Sequence, residues 1–152
     1  MATYLADTNL ILRLADPASP QHAIATRALT HLLAKGDEVY LTPQNFIEFW
    51  AVATRPLDAN GFGWGRERTA KEVTDLQERF PLLPDSPDIF TRWLELVRQL
   101  PIYGKRVHDA RLVAVLQAHA IEHLITFNGS DFAPFPSLSL IDPRSMASLP
   151  GP

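Results

Sequence analysis

With 152 residues, 46% of them hydrophobic and 20% charged, the chain has the size and balance of one domain with a real core. A net charge of -3 argues against a protein that coats polyanions indiscriminately, and the lack of cysteine excludes disulfides and thiolate metal sites. No apolar run is long enough to span a membrane and no basic region leads into one at the N-terminus, so neither a span nor a signal peptide is expected, and a reducing cytoplasm suits the composition.

Residues 3–7, "TYLAD", read as a short first strand ending at Asp7. A helix is expected from about Asn9 until the two prolines of "ADPASP" break it. Residues 21–36 form an amphipathic pattern closed by Gly36. "EVYL" is a second strand, and Thr42-Pro43 has the cap and first-turn chemistry of a helix over 43–55. A Gly- and Pro-rich loop, 56–65, leads to a polar amphipathic helix over 66–80. Further helices are expected over 86–100, opened by Ser86-Pro87, and over 105–120. "HLITF" and "LSLI" are late strands, and the last dozen residues read as a frayed tail. Strands alternating with helices predict an α/β fold with a largely parallel sheet.

Four acids sit in unusual places. Asp7 lies between two apolar runs at a strand end; its ordinary explanation is a helix N-cap. Glu48, in "FIEFWAVA", is surrounded by apolar residues on a helix expected to be buried all round, where a glutamate needs a partner. Asp109 shares a helix face with Leu112, Val113 and Leu116, although a first-turn acid is also favoured by the helix dipole. In "LITFNGSDF" a strand runs into Thr126, Asn128 and Asp131, good material for an Asx-turn. Each alone has a plain explanation. One convergent site accounts for all four, and a divalent cation would relieve their mutual repulsion. With oxygen donors alone the ion is Mg²⁺ or Mn²⁺. The five histidines show no zinc spacing, and His108 is expected at the surface or facing substrate.

"LADTN", "NFIEFWAVATRP", "VHDARLVA" and "LITFNGSDF" followed by "LSLIDP" together resemble a PIN domain, and more narrowly the VapC-type toxins of bacterial and archaeal toxin–antitoxin pairs. The resemblance covers residues 3–143, and a single PIN-like domain is expected over 1–143, followed by a tail over 144–152. It implies a three-layer α/β/α sandwich with a central parallel sheet. It also implies a cytoplasmic, metal-dependent endoribonuclease, dimeric and held inactive by a cognate antitoxin, with RNA (tRNA or another structured RNA included) as substrate. Asp7, Glu48 and Asp109 match the family's three firmest acids, Asn9 the residue orienting the first, and Thr126 the supporting hydroxyl. The fourth acid stands either two or several residues after that threonine. Here the nearer position is Asn128, so Asp131 is the expected fourth ligand, with Asn128 in support.

RNA-binding candidates are Arg13, Arg55, Lys105, Arg106 and Arg111, near the acids in sequence, each of which could equally be solvated surface. Trp64 and Phe62, in a loop made mobile by Gly61, Gly63 and Gly65, could stack on bases or pack the loop onto the core. The apolar faces over 66–100 fit either core or a dimer interface. The competing class is a catalytically weak binding or scaffold module of the same fold, which a specific Mg²⁺ or Mn²⁺ effect would exclude. A small-molecule phosphatase ranks lower, because the chain has neither a D-x-D motif at the first strand nor a P-loop.

Overall fold

The computed structural model describes residues 1–147. Four short strands, β1 (Thr3–Ala6), β2 (Glu38–Tyr40), β3 (His123–Ile125) and β4 (Leu140–Ile141), form one parallel sheet in the order β2-β1-β3-β4. Tyr4 pairs with Val39 on one side and His123 on the other, and Leu124 with Leu140. A parallel sheet needs cover on both faces. Side chains along a strand alternate, so Tyr4, Ala6, Val39 and Ile125 enter one core and Leu5 and Leu124 the other.

The first core is closed by α1 (Thr8–Ala15), α2 (His22–Ala34), α3 (Pro43–Thr54) and α4 (Arg66–Arg79), through Leu10, Leu29, Phe49 and Leu76. The second is closed by α5 (Asp88–Gln99) and α6 (Arg106–Ala118), through Ile89, Leu112, Val113 and Leu116. This is the expected α/β/α arrangement. The apolar faces over 66–100 belong to it as core: Leu76, Phe80 and Ile89 are buried, and Val73, Trp93, Leu96 and Val97 pack against them.

Helix boundaries follow local chemistry. Gly36, with φ +85°, ends α2 just past Lys35, and its N–H donates to the Leu33 carbonyl. At the start of α3, Thr42 and Asn45 form a reciprocal capping box.

The structure differs from the sequence reading in three places. First, α3 is not buried all round: Ile47 is 71% exposed, because the helix packs on α1 and α4 and leaves this face open beside Glu48. Second, the helix α7 (Pro143–Ala147) crosses the expected domain boundary and packs on α2. Its Met146 joins the first core, and Arg144 donates to the Phe127 carbonyl at 3.3 Å. The rest of the expected tail, 148–152, lies outside the described residues.

Third, the glycine-rich loop is strapped down. After a 3-10 turn at Leu57–Ala59, the N–H groups of Phe62, Gly63 and Trp64 donate to the Val52, Arg55 and Ala53 carbonyls, folding the loop onto the end of α3. Its glycines serve close approach rather than mobility. A Cβ on Gly61 would stand 2.0 Å from the Arg55 carbonyl oxygen, and Gly63 has φ +66°. Gly61→Ala is therefore expected to destabilise the fold by about 1–3 kcal/mol, the range for overpacking, measurable by denaturant unfolding.

Candidate functional site

In parallel sheets, loops at the C-terminal strand ends meet in a crevice. Here β1 runs into Asp7, β3 into Thr126, and β2 into α3 with Glu48. Asp7 is the N-cap of α1 and a site residue at once. Its Oδ1 accepts from the Thr8 N–H at 2.8 Å, and its Oδ2 from the Thr126 hydroxyl at 2.7 Å and the Asn9 amide at 3.2 Å. The Thr126 hydroxyl in turn accepts from Asn9 Nδ2 and the Asn128 N–H. Asn9 Oδ1 accepts from the Phe127 N–H at 3.3 Å. One carboxylate is thus fixed from two strand ends.

Glu48 is held by a residue that the sequence reading did not single out. The Thr8 hydroxyl donates to Glu48 Oε1 at 2.7 Å. Buried Asn45 sets Thr8: its Nδ2 donates to Thr8 Oγ1 at 3.0 Å and to the Ala6 carbonyl at 3.1 Å, while its Oδ1 accepts from the Thr42 N–H. The cap of α3 therefore also ties down β1 and positions Glu48. The spacing of "TPQN", a threonine followed three residues later by an amide, was the available signal. Asn45→Ala leaves these buried groups unpaired and is expected to cost about 2–3 kcal/mol. In a thermal melt of a domain this size, that is a fall of roughly 4–12 °C.

Asp109 and Asp131 meet through a cation. Arg106 Nη1, one turn before Asp109, lies 3.2 Å from Asp109 Oδ2 and 2.9 Å from Asp131 Oδ2. Asp131 sits in the 3-10 turn Gly129–Phe132, for which Asn128 supplies no side-chain cap, so the "NGSD" segment is not closed by an Asx-turn. Asn128 is exposed, and its role toward Thr126 runs through its backbone N–H. The acid joined to Asp109 is Asp131.

The acids feel one another. Burial pushes the Asp7 carboxyl up to about 6 against the hydrogen bonds from Thr126 and Thr8, with Asp109 and Glu48 adding to the rise. Burial also raises Asp109, opposed by Arg106 and reinforced by Asp131 and Glu48. The donors are hard oxygens, which suit Mg²⁺ or Mn²⁺ and no soft metal. Among the described residues, no three Asp, Glu or His side chains stand close enough to hold an ion together. Thr8, Thr126 and Arg106 hold the carboxylates as separate arms around the crevice. The donor types are those a divalent cation takes, and the charge that Asp109 and Glu48 add at Asp7 is what such an ion would neutralise.

The proposed RNA contacts fare unequally. Arg106 is engaged with the two acids, so it is part of the acid cluster rather than a free cation beside it. Trp64 is not a free stacking platform: its ring packs against Phe62 and Phe49, and Arg68 covers it at 3.9 Å. Arg55 is exposed at the end of α3, roughly 10 Å along the helix beyond Glu48. Exposed Lys105 and partly exposed Arg13 make no ion pair among the described residues. Arg111 bonds Gln44 and Asp85 and, with Ile47 and exposed His108, walls a groove of about 380 Å³ at Glu48. Among the described residues no helix is long and apolar enough to cross a membrane.

The model of the PIN domain family matches residues 4–135. Comparison with curated proteins gives no match. Among solved structures, VapBC2 of Rickettsia felis, bound to a DNA fragment from its promoter, aligns at TM-score 0.70 and 19% identity over 92% of this chain and 98% of that one. DNA-bound VapBC of Salmonella typhimurium aligns at 0.69 and 16%, over 94% and 99%. The sarcin-ricin loop cleaving toxin VapC20 of Mycobacterium tuberculosis aligns at 0.66 and 17%, over 86% and 93%. With the family match spanning most of its length, this chain belongs to the PIN domain family.

Proposed function

We propose that this protein is a Mg²⁺- or Mn²⁺-dependent endoribonuclease, the cytoplasmic toxin of a VapBC-like pair. The observation that carries the reading is the gathering of Asp7, Glu48, Asp109 and Asp131 from distant parts of the chain to one end of a parallel sheet, with the Asp7 carboxyl raised by burial and further by Asp109 and Glu48. The similarity to VapC20, described as cleaving the sarcin-ricin loop, supports a structured RNA as substrate. The similarity to VapBC complexes supports an antitoxin partner.

Asp7, Glu48 and Asp109 would hold the ion, with Asp131 as the fourth acid. When bound, the ion supplies Lewis acidity to the phosphoryl oxygens and lowers the pKa of a coordinated water. The chain's own residues do the rest. Thr126 and Asn9 fix Asp7 Oδ2, and Thr8 fixes Glu48 Oε1, so the ligands are oriented before substrate arrives. A site carboxylate orients the attacking water and takes its proton. Water attacks phosphorus in line, the bond to the 3′ oxygen breaks, that oxygen takes a proton from solvent, and the products carry a 5′-phosphate and a 3′-hydroxyl. Lys105 and Arg13, which make no ion pair among the described residues, would meet flanking phosphates.

The groove at Glu48 continues, past the shared His108 and Arg111, into an apolar one of about 510 Å³ lined by Phe90 and Trp93. That shape suits an apolar antitoxin helix that offers an arginine to the acids. A homodimer is proposed on the family's pattern.

The test is incubation of antitoxin-free protein with a mixed RNA pool in Mg²⁺, Mn²⁺ or EDTA. Metal-dependent cutting is expected. Cutting that survives EDTA would refute the metal reading. No cutting, with no metal-dependent shift in melting temperature, would favour a PIN-fold binding module, the reading to which the separated carboxylates lend weight.

A further inference from the structure

The groove at Glu48 and the apolar groove beyond it form one cleft that leads away from the acids past Arg111. Its walls run in the order acid, cation, aromatic. Arg111 is braced at the junction: Nη1 donates to Gln44 Oε1 at 3.2 Å and Nη2 to Asp85 Oδ1 at 3.1 Å, while Gln44 Nε2 donates to the His108 carbonyl at 2.7 Å. Those bonds use only part of the guanidinium's donors, and the Arg111 side chain stays 35% exposed. Farther along, the Trp93 ring is fixed by its Nε1, which donates to the Val107 carbonyl at 2.8 Å. Phe90 lines the cleft while 65% exposed, its ring 5.8 Å from that of Trp93. Core packing does not account for Phe90, because its neighbour Ile89 carries the core contact of this turn of α5.

We infer that this cleft is a subsite for one unpaired nucleotide of the RNA strand beside the cut, with its phosphate on Arg111 and its base against Phe90 and Trp93. This rests on the nuclease reading above and adds the form of the substrate: RNA that is single-stranded next to the cleaved bond. A strand whose scissile phosphate lies among the acids continues along the open cleft. A nucleotide then presents what the walls call for in the same order, an anion followed by a flat π-face. A braced guanidinium takes a phosphate oxygen with little further ordering. Aromatic faces stack on any base, but only on one that has left its own helical stack. The apolar part of the cleft, about 510 Å³, falls within the range of about 300–1,000 Å³ common for ligand sites. An antitoxin helix seated in the same cleft would displace the nucleotide.

The experiment compares wild-type protein, Phe90→Ala and Phe90→Tyr, each first checked for native circular dichroism and a cooperative melt. Phe90 is largely exposed, so its loss should leave the fold intact. Two fluorescein-labelled stem–loop RNAs are used, one with an ordinary loop and one with abasic residues in the loop. Anisotropy in EDTA reads affinity, and initial rates in Mn²⁺ read kcat/KM. The wild type should prefer the ordinary loop by about tenfold in either readout, within the range for one stacked base. Phe90→Tyr should keep that preference, and Phe90→Ala should lose most of it. No preference in the wild type, or the same preference in Phe90→Ala, would overturn the inference, and metal-dependent cutting by the wild type would leave the nuclease reading standing. A Phe90-dependent preference in binding without any cutting would uphold the subsite and overturn the nuclease reading. Neither binding nor cutting by the wild type would overturn both.

Discussion

Asp7→Asn is expected to lower metal-dependent RNA cleavage by at least about a hundredfold while leaving the protein folded. Asp7 is the best-held carboxylate of the site, with partners from α1 (Thr8 and Asn9) and from Thr126 at the end of β3. An asparagine keeps the N-cap, because asparagine and aspartate serve equally there, so α1 should still start at Thr8. What is lost is the charge that a divalent ion needs. Asp109→Asn should behave alike in cleavage and should in addition free Arg106 from one of its two partners. Initial rates on a single RNA substrate, with Mn²⁺ near saturation for the wild type, measure both. Asp58→Asn, on the exposed 3-10 turn that follows α3, is the control that should cleave normally.

The second large effect is on stability and its pH dependence. Asp7 titrates near 3.8 when unfolded and about 6 when folded. Its protonated form is therefore the one that the metal-free fold prefers. Stability from this group is fully present below the unfolded value and is lost as pH rises through about 6. At one pKa unit for about 1.4 kcal/mol, the loss is roughly 3 kcal/mol by neutral pH. Asp109, also raised, contributes in the same direction. In EDTA, Asp7→Asn should thus melt higher than the wild type at pH 7.5, with the gap closing toward pH 4. Mn²⁺ should stabilise the wild type and much less the variant, because the ion favours the charged carboxylate. A wild type that gains stability from pH 5 to 7.5 in EDTA, with no gap to Asp7→Asn, would show that Asp7 is not strained by burial.

Much of the fold is legible in local chemistry. Thr42-Pro43 and Gly36 mark helix ends that the structure keeps, and the apolar strands alternate between two cores because both faces of a parallel sheet are covered. The acids stand out for the same reason: a carboxylate next to apolar runs at a strand end has few places to go. What does not show in the sequence is pairing at a distance. Thr126 meets Asp7 across 119 residues, and Thr8 meets Glu48 across 40. Arg106 reads as one more exposed base until the turn after β3 brings Asp131 to it. Trp64 could face solvent or core, and the choice falls to the loop hydrogen bonds to the end of α3. The short helix α7 escapes notice because its five residues carry no periodic pattern, only one methionine that finds the core.

In the proposed mechanism these acids serve water attack on a phosphodiester, not attack by the RNA's own 2′-hydroxyl. The end chemistry of the cut RNA separates the two. Products from wild-type protein in Mn²⁺ should carry 5′-phosphates, shown by ligation to an adaptor that requires them, and should vanish in EDTA and in Asp109→Asn. Products with 2′,3′-cyclic phosphates and 5′-hydroxyls, formed equally in EDTA, would contradict it.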